Sequence, residues 1–233
     1  MKHILIALAC LVTSGLPAHA APVAFETLGL QGRGATSGAP DSLVVFLHGY
    51  GSNGSDFVDV TEIIAQYLPN TMFLYPDAPT PEPSKDGRPS FTWYSFAGED
   101  AESTRQAAME YVSGKINLAL TTYGIPEERI VIAGFSQGAG TAVMTATCGP
   151  FRISAAVAMA GVVDTVCEAP TDRKPADILF VHNAGDTRVP TDWALESVKV
   201  ALEVGYTPSF ISHPGDQHWL VPQGLADVSN FVV

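Results

Sequence analysis

The chain has 233 residues, 46 % hydrophobic and 15 % charged, enough apolar content to bury a core and too much for intrinsic disorder. Acids outnumber bases 24 to 12, a formal charge of −12, and a surface that negative repels phosphate backbones and argues against a nucleic-acid partner. Three cysteines are too few for a disulfide scaffold or a cysteine-rich zinc module, and the apolar runs beyond the N-terminus fall short of the roughly 18 residues a membrane span needs.

The first element in chain order is a leader. Lys2, an apolar run over residues 4–12 and the small-x-small site Ala18-His19-Ala20 have the layout of a secretory signal peptide cleaved after Ala20. The expected organisation is therefore a signal peptide, residues 1–20, and one domain, residues 21–233, working in the periplasm or outside the cell. Residues 31–41 read as a Gly-rich loop, 43–47 as a buried strand, and 56–68 as a helix with Val60, Ile63, Ile64 and Tyr67 at helical spacing. A strand over 71–75 leads into residues 76–89, which hold five prolines and read as a long loop overhanging a ligand crevice. A helix over 100–123 ends at Gly124. Then come a strand (130–133), a helix of small residues (136–147), strands at 154–159 and 178–181, a helix (191–204), a strand (206–212) and a closing helix (219–231). Strands alternating with helices predict an α/β fold with a mainly parallel central sheet and helices on both faces.

Gly134-Phe135-Ser136-Gln137-Gly138 fits G-x-S-x-G, a weak pattern alone. Here it follows a predicted strand and opens a predicted helix, the setting that exposes a nucleophilic hydroxyl on a tight turn. A serine needs a base, and the base needs an orienting acid. After residue 20 the histidines are 48, 182, 213 and 218. His213 and His218 follow the last strand, where the order Ser…Asp…His expects the base. His218 is favoured because it lies deeper in the turn before the final helix, and His213 is the alternative. Asp186 lies in a turn at a strand's carboxyl end, where crevice residues belong. Asp164, Asp192 and Asp216 compete with it. The His48-Gly49-Tyr50-Gly51 loop and the start of the 136–147 helix nominate the backbone N–H groups of Tyr50 and Gln137 as an oxyanion hole. Phe91, Trp93 and Tyr94 are expected to line a substrate pocket, since ligand sites are mostly apolar. Cys148 and Cys167 are the two cysteines left after cleavage, and an oxidising compartment predicts a disulfide between them.

Taken with Gly124-Ile125-Pro126, Arg129-Ile130 and Gly185-Asp186-x-x-Val189-Pro190, these motifs resemble the α/β-hydrolase fold. More narrowly they resemble the phospholipase/carboxylesterase family, which includes acyl-protein thioesterases. The likeness spans about residues 42–231. It implies Ser136 as nucleophile, Asp186 as orienting acid and His218 as base, with no cofactor and no metal. Three features depart from the family pattern: His182-Asn183 stands where His-Gly is common, typical cytosolic members lack a signal peptide, and the Pro-rich loop at 76–89 differs in composition. The expected activity is that of a secreted or periplasmic serine esterase acting on a small-molecule or lipid-like carboxylic ester through an acyl-enzyme. A feruloyl or polymer-ester depolymerase and a lysophospholipase are alternatives within that class. A non-catalytic binding protein on the same fold is disfavoured because no catalytic part is missing. A nucleotide-binding domain would need a G-x-G-x-x-G or G-x-x-x-x-G-K-[ST] loop at a strand end, and there is none.

Overall fold

A computed structural model describes residues 31–84 and 86–232; the expected signal peptide lies outside the described residues. Seven strands form one sheet in the order β1-β3-β2-β6-β7-β8-β9. These are β1 (Gly32–Arg33), β2 (Ser42–Leu47), β3 (Thr71–Leu74), β6 (Ile130–Phe135), β7 (Ala155–Met159), β8 (Asp177–Asn183) and β9 (Ser209–His213), while β4 (Thr80–Pro81) and β5 (Phe91–Thr92) make a separate hairpin. Every neighbouring pair in the large sheet is parallel except β1 with β3.

The strand composition explains the layering. In Ser42–Leu47 all but the first residue are buried, because helices cover both faces of a parallel sheet. Leu43, Val45 and Leu47 pack on one side with Ala108, Val112 and Ile116 of α2 (Ala101–Tyr123) and Ala139 and Val143 of α3 (Gln137–Cys148). Ala201 of α4 (Thr191–Glu203) joins that cluster. Val44 and Phe46 face the other way, against Ile64 of α1 (Val58–Ala65) and Val228 of α5 (Pro222–Val232). The chain leaves β2 for β3 on one flank and later returns to β6 on the other. That reversal puts a crevice beyond the carboxyl ends of β2 and β6.

Four boundaries differ from the sequence reading. The 31–41 segment carries β1, whose backbone pairs with β3 at the sheet edge. The helix expected over 56–68 divides into a 3-10 turn, Gly54–Phe57, and α1. Asn53 starts that turn by accepting the Ser55 N–H at 3.0 Å, and so short a helix buries Thr61, Ile64 and Ala65 while Ile63 and Tyr67 stay exposed. The last strand begins at Ser209 rather than 206, since Tyr206 N–H still bonds Ala201 O at the end of α4. The closing helix begins at Pro222, a residue whose fixed φ and missing N–H suit a first helical turn. Residues 214–221 are thereby freed as a loop.

Candidate active site

The turn from β6 into α3 carries Ser136 at φ 53° and ψ −116°, a conformation that costs free energy for any residue but glycine. Its neighbours make the turn possible. A Cβ on Gly134 would lie 2.0 Å from Gly138 O, and one on Gly138 would lie 2.3 Å from Leu47 O. Only hydrogen at both positions lets the helix start press onto the ends of β6 and β2. Ser136 N–H donates to Met159 O at 2.8 Å, which fixes the strained residue from the β7 side.

Ser136 Oγ and His218 Nε2 are 2.9 Å apart. On the other side of the ring, His218 Nδ1–H donates to Asp186 Oδ2 at 2.7 Å. Asp186 Oδ1 accepts the N–H groups of Arg188 and Val189 at 2.9 and 3.1 Å. Burial pulls the Asp186 carboxyl upward, but the hydrogen bonds from His218, Val189 and Arg188 outweigh it and hold the group below the usual carboxylate range. His218 packs against Phe135 with the rings tilted by 44° and their centroids 5.0 Å apart. Its loop is tethered by Asn183 Nδ2, which donates to Gln217 O at 3.0 Å, and by Gly185 N–H, which donates to Gly215 O at 2.7 Å. Asn183, the departure from the family pattern, thus anchors the loop that carries His218. The alternative base, His213, is engaged elsewhere: its Nε2 lies 2.6 Å from Asp227 Oδ2 on α5. Of the competing acids, Asp164 pairs with Arg105 at 2.9 Å.

Gly49, Tyr50, Ser136, Gln137, His218 and Trp219 all line one cleft of about 520 Å³. His48 fixes the loop that brings Tyr50 there. It is 1 % exposed, its Nδ1 bonds Gly49 O at 2.7 Å, and its Nε2 accepts the Ala78 N–H at 3.0 Å. Those partners require the neutral ring with its proton on Nδ1. Burial is the largest influence and drives the His48 pKa below 6.5, against the opposing pull of Gly49 O, Asp77 and Asp56.

The expected aromatic lining is corrected in part. Tyr94 lines the cleft, but Trp93 and Phe91 do not. Trp93 is 1 % exposed and donates its indole N–H to His48 O at 2.8 Å, so its ring belongs to the core beneath the Tyr50 loop. Phe91 is held in the β4–β5 hairpin, where its carbonyl accepts the Gly51 N–H and its N–H donates to Ser52 O, each at 2.9 Å. Phe96, Trp193 and Trp219 line the cleft instead. Phe96 was readable only as one more aromatic on the same loop, and Trp193 lies on the outer face of a predicted helix. The Gln137 side chain has a role beyond its backbone N–H. Its Oε1 accepts the Trp93 N–H at 3.0 Å and its Nε2 donates to Tyr94 O at 2.8 Å, which clamps the aromatic loop to the elbow. Cys148 and Cys167 are joined, with Cα atoms 5.2 Å apart, at the far end of α3. Among the described residues no group of three or more His, Cys, Asp or Glu could hold a metal ion, and no helix is long and apolar enough to cross a membrane.

The family described as phospholipase/carboxylesterase matches residues 35–233. Acyl-protein thioesterase 1 of Debaryomyces hansenii is 25 % identical over 215 residues, covering 85 % of this chain and 93 % of its own. The crystal structure of esterase PE8 is 26 % identical with a TM-score of 0.68, covering 87 % of this chain and 96 % of that one. Acyl-protein thioesterase 2 of Zea mays, 24 % identical with a TM-score of 0.65 and coverages of 86 % and 95 %, is a likeness of fold alone.

Proposed function

The chain belongs to the phospholipase/carboxylesterase family and is an ester-hydrolysing serine hydrolase, and on that premise we propose that it cleaves carboxylic esters with Ser136, His218 and Asp186, outside the cytoplasm. The observation that carries the triad is the unbroken chain of two short contacts, Ser136 Oγ to His218 Nε2 and His218 Nδ1 to Asp186 Oδ2, starting from a serine held at positive φ.

Ser136 Oγ attacks the carbonyl carbon while His218 Nε2 takes its proton. Asp186, ionised and with both oxygens occupied, fixes the tautomer and stabilises the imidazolium. The tetrahedral oxyanion is held by the N–H groups of Tyr50 and Gln137, helped by the positive end of the α3 dipole. His218 then gives its proton to the leaving alcohol as the C–O bond breaks. Water, deprotonated by the same ring, attacks the acyl-enzyme and releases the carboxylic acid and Ser136. The extracytoplasmic site is supported by the Lys2, apolar-run and Ala18-His19-Ala20 layout and by the Cys148–Cys167 bridge, a bond that reducing cytosol disfavours.

The test is hydrolysis of nitrophenyl esters together with labelling by a fluorophosphonate. Wild type should do both and Ser136→Ala neither. A folded Ser136→Ala protein that keeps wild-type turnover would place the nucleophile elsewhere.

A further inference from the structure

Part of the cleft wall is a partition that the hydrolytic machinery does not require. Tyr94, Arg105 and Asp164 line the cleft and also a second cavity of about 10 Å³, closed behind them by Gly140, Thr141, Met144 and Thr165. The partition is clamped in place. An Arg105 terminal nitrogen bonds Asp164 at 2.9 Å, and the guanidinium carbon stands 5.2 Å from the centre of the Tyr94 ring. The phenol sits so close to α3 that a Cβ on Gly140 would lie 3.1 Å from its oxygen. The far side is less well satisfied. Arg105 Nε and Thr141 Oγ1 are buried without a hydrogen-bond partner among the described residues, and the wall includes Met144, an adaptable side chain.

The direction of the substrate follows from the chemistry. The leaving alcohol must take its proton from His218 Nε2, so it lies on the His218 side of the cleft. The oxyanion faces the Tyr50 and Gln137 N–H groups. The acyl chain is left the remaining wall of the cleft, of which Tyr94 is part. Resting on the ester-hydrolase reading above, we propose that Tyr94, clamped by the Arg105–Asp164 pair, is the floor of the acyl pocket and restricts the enzyme to short-chain acyl esters such as acetate and butyrate. Beyond that floor a longer chain must turn out through the cleft mouth, where added methylenes stay in water and contribute nothing to transition-state binding. With the ring removed, the cleft and the second cavity join. Each further methylene is then buried, a gain of roughly fourfold in kcat/KM per group.

The experiment measures kcat/KM on nitrophenyl acetate, butyrate, hexanoate and octanoate for wild type, Tyr94→Ala and Tyr94→Ala/Met144→Ala, each also labelled with a fluorophosphonate. Wild type should level off or decline beyond butyrate. Tyr94→Ala should raise the octanoate-to-butyrate ratio by roughly tenfold or more, and Met144→Ala added to it should carry the optimum to longer chains. A Tyr94→Ala protein that labels normally but keeps the wild-type ratio overturns the floor and leaves the hydrolase reading standing. Wild type that neither labels nor hydrolyses any ester overturns both. A wild-type rate that climbs steadily to octanoate overturns the floor even if the variants do not fold.

Discussion

The two ends of the sheet hold cavities of similar size and opposite character. Where the strands finish lies the cleft of about 520 Å³; where they begin, Val131, Ala155 and Asp177 help line a cavity of about 430 Å³. Helix α3 reaches both. Its first residue, Gln137, lines the cleft, while Ala146 and Thr147 in its last turns line the other cavity. One end of the helix therefore offers unpaired N–H groups and the positive end of the dipole, and the other offers carbonyls and the negative end. Charged groups at the starting end neutralise one another, Lys174 with Asp177 at 2.8 Å and Arg152 with Glu128 at 3.6 Å. At the finishing end a serine, a histidine and a carboxylate converge in sequence. Volume does not distinguish the two; polarity and convergence do.

The largest effects should come from breaking that convergence. His218→Ala removes the proposed base and Asp186→Asn the charge proposed to orient it, so each should lower kcat by about 10⁴-fold or more. His213→Ala, which releases only Asp227 on α5, should cost far less. Steady-state kinetics on a nitrophenyl ester ranks the three, and a larger loss for His213→Ala than for His218→Ala would contradict the geometry. As a counterpart at the other end, Arg152→Ala disturbs one exposed ion pair and should change kcat by no more than about twofold.

The elbow was legible in the sequence because its constraint is local. Gly134 and Gly138 permit backbone contact that no other residue allows, and Ser136 between them follows a β-rich run, so the turn can be read from five residues. The order Ser136, Asp186, His218 was readable for a similar reason: each follows a recognisable strand. The 91–96 loop was not. Its aromatic residues are consecutive or nearly so, and which of them reaches solvent depends on the Gln137 clamp and on the Trp93–His48 contact, tertiary facts with no short-range signature. Short strands held only by pairing, such as β1, escaped for the same reason.

Trp93→Ala tests the corrected role of that residue. Removing a fully buried indole and its hydrogen bond to His48 O should cost about 3–5 kcal/mol of stability, read as a lowered denaturant midpoint. Activity in the folded fraction should drop too, since His48 carries the loop of Tyr50. A variant with altered substrate chain-length preference but wild-type stability would restore Trp93 to the pocket wall.

Opening the disulfide should act on the opposite end alone. Cys148 closes α3 and Cys167 lies 19 residues on, so the bridge removes roughly 3 kcal/mol of unfolded-chain freedom in the entropic account. The double variant Cys148→Ser/Cys167→Ser should unfold at lower denaturant and keep wild-type kcat at 25 °C. A fall in kcat without a fall in stability would show that the two ends of α3 communicate.

The smallest expected effect concerns His48 and has a definite sign. Its pKa in the folded protein lies below 6.5, so the unfolded chain takes up the proton first as the solution is acidified. Stability contributed by the neutral ring is complete above about pH 6.5 and is lost as pH falls from there toward the folded-state pKa. The structural consequence follows from the donor at Ala78: a protonated Nε2 would face that N–H at 3.0 Å with two donors and no acceptor, and the tether between residues 48 and 78 would part. Asp77 and Asp56 favour the charged ring but are outweighed by burial. Urea midpoints for wild type and His48→Gln, taken between pH 8 and pH 5, isolate the contribution, because the amide can accept the Ala78 N–H at every pH in that range. The stability gap between the two proteins should narrow as pH falls below about 6.5. Parallel curves would show that His48 keeps an ordinary pKa and that its buried contacts do not select the neutral form.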